Sequence, residues 1–128
     1  MKQRQFERLV DRALESLPPE FQQLIDNVAI FIQDRPSRSL LREMGLESDD
    51  TMLGLYEGIP QTERTTTYDL VPPDRITLFQ RPIEECCSTD AEVAEQIRRT
   101  ILHEVGHHFG IDDGRLDEIE AGWDARDA

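Results

Sequence analysis

The spacing of hydrophobic positions changes from helical to extended early in the chain. Apolar residues from Phe6 to Leu17 recur at intervals of three and four, which predicts a helix that Pro18-Pro19 stops. The segment PPEFQQLIDNV carries prolines suited to a first turn and predicts a second short helix. The β-branched and aromatic run VAIFIQ, residues 28–33, predicts the first strand.

The middle of the chain combines turn residues with short extended runs. Residues 35–50 are polar and contain proline and glycine, which predicts an excursion with at most one helical turn. GLYEG (54–58) and ERTTTYDLV (63–71) predict strands, the first at an edge of the sheet. Ile76–Gln80, which is flanked by prolines, predicts a further strand.

The strongest helical pattern is STDAEVAEQIRRTILHEVGHHFG, residues 88–110. Thr89 and Glu92 have the spacing of a capping box, and Gly110 supplies the residue that most easily adopts a left-handed conformation at a helix end. Taken together, the elements predict one α+β domain over residues 1–128. Helices come first, a small mixed sheet follows, and the long helix and a short tail complete it.

Charge and composition narrow the possible partners. The chain has 27 acidic and 14 basic residues, and its net charge of -13 opposes binding to nucleic acid or to an anionic membrane surface. The longest apolar run, VAIFI, is far shorter than the roughly 20 residues that span a bilayer. Charges also interrupt the apolar residues at the N-terminus, unlike in an export signal. We therefore expect a soluble, cytoplasmic protein.

The two cysteines, Cys86 and Cys87, are adjacent in the sequence. Neighbouring cysteines rarely reach good disulfide geometry, and the pair lacks the CxxC spacing of a metal site. We expect free thiols, which agrees with a reducing compartment.

All three histidines lie within residues 103–108. On a helical wheel, one third of the circumference is apolar and is predicted to pack on the sheet; it comprises Ile101, Leu102, Val105 and Phe109. His103 and His107 fall on the other side, about 40° apart, so we do not expect them in the core. His108 borders the apolar face, where packing or support of the ligands is expected rather than ligation.

The pair His103 and His107 has the spacing of metal ligands. Four residues of helix rise about 6 Å, so two imidazoles on one face can converge on an ion at about 2.0–2.1 Å, the zinc distance. Glu104 lies about 60° beyond His107 on the wheel, so it misses the ion but reaches a water bound to it. This is the HExxH arrangement, in which the glutamate is the general base. The alternative is a polar helix face that binds no metal.

A third ligand is expected after the helix. Gly110 lets the backbone turn back, so a carboxylate six residues after His107, Asp113, can complete the pattern HExxHxxGxxD. Asp112 is the alternative, because one residue of turn geometry decides which carboxylate points inward. The extended zincin motif favours Asp113.

Three segments resemble a known family: LLREMGLESDDTMLGLYEGIP, PPDRITLFQRPIE and RRTILHEVGHHFGIDDGRLDEIEAGW. They are similar to the small bacterial zincin-like proteins of the minimal zinc metallopeptidase family, from about Phe6 to Trp123. The resemblance implies a minimal zincin fold, with the active-site helix against a small mixed sheet, and a bacterial cytoplasmic setting. It also implies zinc held by His103, His107 and Asp113, with Glu104 as catalytic base. No methionine follows Gly110, so the likeness is to a reduced zincin and not to a metzincin with a Met-turn.

The expected activity is zinc-dependent hydrolysis of peptide bonds, with an extended peptide or protein substrate aligned along the strand at GLYEG; the alternative for GLYEG is an ordinary strand and turn. Tyr56 or Tyr68 could donate to the oxyanion, although packing is the more ordinary role. A domain this small predicts a shallow cleft, open to short or flexible peptides or completed by a second copy or another partner. Two alternatives are a zinc-binding protein without turnover, whose metal is structural or regulatory, and an interaction module without metal.

Overall fold

The computed structural model describes residues 1–47, 50–58 and 73–127, with the backbone alone for 123–127. These residues form six helices and three strands. The helices are α1 (Gln3–Glu15), α2 (Pro19–Ile25), α3 (Arg38–Glu43), α4 (Gln80–Glu85), α5 (Asp90–His108) and α6 (Asp113–Asp127). The strands are β1 (Val28–Gln33), β2 (Gly54–Glu57) and β3 (Asp74–Phe79). The two N-terminal helices, the first strand and the long helix are those that the sequence predicts.

The sheet is mixed, as predicted, and has the order β1-β3-β2. β1 pairs with β3 in parallel and β2 pairs with β3 antiparallel, so that Ile76 lies opposite Ile30 on one side and Tyr56 on the other. Within the described residues β2 pairs with β3 alone and lies at one end of the strand order, in agreement with the edge position predicted for GLYEG. The strand predicted over 63–71 lies outside the described residues.

The long helix α5 is the centre of the core. It contacts β2 and β3 and also packs against α1, α2, α4 and α6. Ile101, Leu102 and Val105 are fully buried, which confirms three positions of the predicted apolar face. Phe109 is 44% exposed. The helix ends one residue before it, so its ring lies at the margin of the core, edge-on to the rings of Tyr56 and His108.

Both ends of α5 are capped as predicted. At the N-terminus the Thr89 hydroxyl accepts from the Glu92 backbone N–H at 3.2 Å, and the Glu92 carboxylate accepts from the Thr89 N–H at 3.0 Å. At the C-terminus Gly110 has φ 77°, and the Ile111 N–H donates back to the Gly106 carbonyl at 2.8 Å. This is a Schellman turn, and it reverses the chain so that the next segment runs back along α5.

The segment after this turn is helix α6, so the predicted short tail was wrong. Asp112 caps the start of this helix, because its Oδ1 accepts from the Arg115 backbone N–H at 2.8 Å. Leu116 is fully buried and Ile119 is 7% exposed, both within the main core cluster. Two buried apolar positions in a very acidic segment form too weak a pattern to predict a helix. Packing against α5 stabilises this helix, although its hydrophobic periodicity is weak.

Two smaller expectations also fail at element boundaries. Gln80 begins α4 and does not end a strand; Pro82 lies in the first turn of that helix, where its missing N–H has no intrahelical partner to lose. Residues 38–43 form α3, which is longer than the single turn expected. The Ser37 hydroxyl accepts from the Leu40 N–H at 3.0 Å, and burial of Leu41 adds tertiary contacts.

No helix in the described part of the chain is long and apolar enough to cross a bilayer. Cys86 and Cys87 are free thiols, as expected, with their sulfurs 4.0 Å apart.

Candidate metal centre

His103 and His107 lie one turn apart on α5, on the side away from the apolar core. Their ring centroids are 5.7 Å apart and the ring planes meet at 74°. The His103 side chain is 27% exposed and that of His107 is 55% exposed, so both reach solvent at the surface of the helix. This is the placement that the helical wheel predicts.

The Schellman turn brings Asp113 to this histidine pair. Asp113 Oδ1 lies 2.6 Å from His107 Nε2, and this hydrogen bond lowers the pKa of Asp113 below its ordinary value. Asp112 instead directs its Oδ1 to the backbone N–H of Arg115 and caps α6. Of the two carboxylates that the sequence left as alternatives, the structure places Asp113 next to the pair.

Glu104 is partly buried beside the two histidines. Burial raises its pKa, against the opposing effects of the charge of His107, a hydrogen bond from the Tyr56 backbone, and the charge of His103. The hydrogen bond to Tyr56 joins the carboxylate to strand β2. Among the described residues, Glu104 belongs to neither group of side chains whose ligand atoms are close enough to share an ion.

Tyr56, whose backbone bonds Glu104, also packs against His108. The Tyr56 hydroxyl donates to Asp74 Oδ2 at 2.8 Å, and its ring stacks on His108 with centroids 3.9 Å apart. The stack is the packing role predicted for His108. The Tyr56 hydroxyl is engaged by Asp74, which favours packing over an oxyanion role; Tyr68 lies outside the described residues.

A family model described as zincin-like metallopeptidase matches residues 25–123. The chain belongs to the zincin-like metallopeptidase family. A search of curated proteins finds no significant match. Membership implies metallopeptidase activity at the level of the family and a bound metal, typically zinc.

The side chains of this zincin-like protein fit such a metal. One ligand atom from each of His103, His107 and Asp113 lies within 4.8 Å of the other two. Two imidazole nitrogens and one carboxylate oxygen are a donor set that zinc takes in catalytic sites. The 2.6 Å separation of His107 and Asp113 is a direct hydrogen bond. It has to widen to about 3.3 Å for both atoms to bind one tetrahedral zinc ion.

A second group of potential ligands shares His103 and was missed from the sequence. It contains Asp117 and Glu120, both on α6, within 4.8 Å of each other and of His103. The signal that could have found them is the spacing of Asp113, Asp117 and Glu120, which lie four and three residues apart and therefore on one face of a helix. That signal has meaning only if the segment is helical.

A groove of about 470 Å³ lies next to Glu104 and His103. Its other walls come from α5 and from the chain at the start of β2; they are Met52, Leu53, Gly54, Gln96, Arg99 and Thr100. The strand approaches the helix closely at Gly54, where a Cβ would lie 2.8 Å from Thr100 Cγ2. The groove therefore lies between the start of β2 and two residues of the HExxH motif, His103 and Glu104.

Proposed function

We propose that this protein is a zinc-dependent metallopeptidase that hydrolyses peptide bonds. His103, His107 and Asp113 hold the zinc ion, and Glu104 is the general base. The observation that carries the proposal is the return of Asp113 to within 2.6 Å of His107, which gathers three donor groups beside a partly buried glutamate. The family match over residues 25–123 supports it.

Glu104 carries the proton transfers in this mechanism. A zinc ion held by His103, His107 and Asp113 would supply a Lewis acid that polarises the scissile carbonyl and makes water acidic, with a pKa of about 7. Glu104 accepts a proton from the attacking water and later donates it to the leaving amine. The raised pKa of Glu104 favours this double role, because a base that must also act as an acid works best with a pKa near the working pH.

Among the described residues β2 pairs with β3 alone, and the substrate binds in an extended conformation along the other side of β2 by strand addition. The groove beside Glu104 lies at the start of this strand and can receive a substrate side chain. Short or flexible peptides suit such a site, and a second copy of the chain or another partner could complete it. We place this activity in the cytoplasm.

The test combines metal analysis with peptide cleavage. Protein purified without a histidine tag should hold about one zinc per chain, and His103→Ala should lose it. Glu104→Gln should keep the metal and fail to cleave a mixed peptide library that the wild type cleaves, as read by mass spectrometry. Glu118→Gln is the matched control, since Glu118 is exposed on α6 and contacts Arg115. Equal cleavage by wild type and Glu104→Gln would refute the mechanism.

One observation favours a second candidate, a zinc-binding protein without turnover. Glu120 lies 3.6 Å from His103 and forms with His103 and Asp117 a second group of potential ligands, which could hold a zinc ion that has no part in turnover. Stoichiometric zinc with no cleavage by either protein would favour this candidate.

A further inference from the structure

The two cysteines lie between the end of α4 and the start of the long helix α5. Cys86 is the C-cap of α4, and the Cys87 backbone N–H donates to the Glu84 carbonyl at 3.1 Å, so the chain is still turning at these residues. In an extended segment two successive side chains would point in opposite directions. Here the turn brings the two sulfurs to within 4.0 Å of each other.

Both cysteines line one pocket of about 170 Å³. Cys86 is exposed and Cys87 is partly buried, so the pocket can be entered from solvent. The other walls come from the first half of α5; they are Glu92, Glu95, Gln96 and Arg99. The histidines of the candidate metal centre lie on the second half of the same helix, so the two thiols form a separate cluster of potential ligands.

The distance between the sulfurs suits two thiolates bound to one metal ion. With metal–sulfur bonds of about 2.3 Å, two sulfurs lie about 3.8 Å apart at a tetrahedral ion and about 4.6 Å apart at a linear one. The observed 4.0 Å corresponds to a sulfur–metal–sulfur angle of about 120°, the angle of three-coordinate geometry.

The number and type of ligands favour Cu(I) over zinc. Among the described residues, neither cysteine belongs to a group of three close ligand atoms. A structural zinc ion takes four ligands, and its protein sites usually supply all of them. Cu(I) prefers soft sulfur ligands and accepts two or three of them. Two thiols without a third protein ligand therefore suit Cu(I).

The surroundings of the thiols oppose their other reactions. Burial raises the pKa of the Cys87 thiol to about 11, and Cys86, Glu92 and Glu95 add to this effect. Cys87 is therefore a weak nucleophile at neutral pH, whereas a metal ion displaces the thiol proton directly. Adjacent cysteines also rarely reach disulfide geometry. Metal binding is the reaction that this arrangement favours.

We propose that Cys86 and Cys87 form a binding site for one Cu(I) ion, separate from the zinc site of the proposed function. Two S–H bonds break, two Cu–S bonds form and two protons leave to solvent, with no change of oxidation state. A small thiol from solution completes the three-coordinate shell. Gln96 and Arg99 line both this pocket and the groove beside Glu104, so the copper site and the groove are neighbours.

The first experiment measures Cu(I) affinity without oxygen, by competition with the coloured Cu(I) chelator bathocuproine disulfonate. Cys86→Ser and Cys87→Ala should each weaken binding by about 100-fold or more, because a single thiol loses the advantage of a second ligand on the same chain. Ser88→Ala is the matched control, since Ser88 follows the pair but does not line its pocket. It should bind Cu(I) as the wild type does, and so should His103→Ala. Circular dichroism verifies that each variant folds.

The second experiment tests whether both sulfurs reach one atom. Phenylarsine oxide exchanges its oxygen for two thiols and releases one water, and intact-protein mass spectrometry detects the product. The wild type should carry one adduct that dithiothreitol removes and glutathione does not, whereas either cysteine variant should lose its adduct to glutathione.

Three results would overturn the proposal. A loss of Cu(I) affinity in only one cysteine variant, or in neither, would mean that the ion does not need both thiols. A loss in His103→Ala would assign the copper to the histidine pair. An adduct of the wild type that glutathione removes would show that the sulfurs do not share one atom. The proposed function is judged separately, because a protein that binds zinc and cleaves peptides but binds no Cu(I) refutes the copper site alone.

Discussion

Replacing Gly106 by alanine tests how α6 is docked on the histidine helix. Gly106 lies in α5 between His103 and His107, directly beneath Leu116 of α6. A Cβ at this position would overlap Leu116 Cδ2 and would lie 2.9 Å from its Cδ1 and 3.1 Å from its Cγ. Leu116 is fully buried, so its side chain has little space into which it can move.

The expected cost follows from two opposing effects. Alanine is favoured over glycine in a helix interior by about 1 kcal/mol. Overpacking a well-packed core costs about 1–3 kcal/mol, so Gly106→Ala should lower the free energy of unfolding by about 1 kcal/mol. Leu116→Ala alone should cost about 2–5 kcal/mol. In that background the clash is absent, and adding Gly106→Ala should stabilise the protein by about 1 kcal/mol.

Urea unfolding followed by circular dichroism measures these free energies, with a chelator present because bound zinc would add its own stabilisation. The wild type, the two single variants and the double variant form a double-mutant cycle. This cycle should give a coupling energy of about 2 kcal/mol between positions 106 and 116. The reasoning fails if Gly106→Ala has the same effect in both backgrounds, or if it stabilises the wild type.

Three further predictions concern the metal, the turn and the thiols. Zinc at 100 times its Kd should stabilise the fold by about 2.7 kcal/mol and raise Tm by about 10 °C in scanning calorimetry; an unchanged Tm would contradict a zinc site in the folded state. Asp113→Asn should weaken zinc binding, whereas Asp112→Asn should retain both zinc affinity and stability, because asparagine also caps helices; titration and urea unfolding would expose the reverse pattern. Burial, with a smaller effect of Cys86, raises the pKa of the Cys87 thiol to about 11. Because the thiolate is the reactive form, iodoacetamide labelling of Cys87, located by mass spectrometry, should rise about tenfold per pH unit between pH 7 and 10, and a plateau below pH 10 would disprove the shift.

The elements predicted correctly are those whose local and tertiary preferences agree. Residues 28–33 form β1 because their β-branched side chains favour an extended backbone and the same residues pair with β3. Helix α5 carries a regular apolar face, a capping box and a terminal glycine, and each feature has the role that its sequence indicates. Helix α6 could not be predicted in the same way. Its burial depends on a contact between Leu116 and Gly106, which no local pattern reveals.

The residues of the candidate site differ in the same way: some could be predicted from local spacing, and others depend on how the chain folds back. The spacing of His103 and His107 fixes their common face, so their proximity could be predicted from the sequence. The choice between Asp112 and Asp113 depends on a turn in which the first residue caps α6 and the second faces His107. Glu120 was beyond prediction, because it approaches His103 only after α6 has folded back along α5. The roles of all these side chains in zinc binding and catalysis stay predictions.

The turn at Gly110 has a consequence for the order of folding. The three ligands of the proposed function lie within residues 103–113, on either side of this turn, while β1 pairs with β3 between residues as distant as 28 and 74. Closing the short helical hairpin costs less chain entropy than closing the long loop of the parallel pair, and local contacts form faster. We therefore expect the metal-binding hairpin to assemble ahead of the sheet. Zinc should then increase the rate of refolding in stopped-flow experiments as well as slowing unfolding.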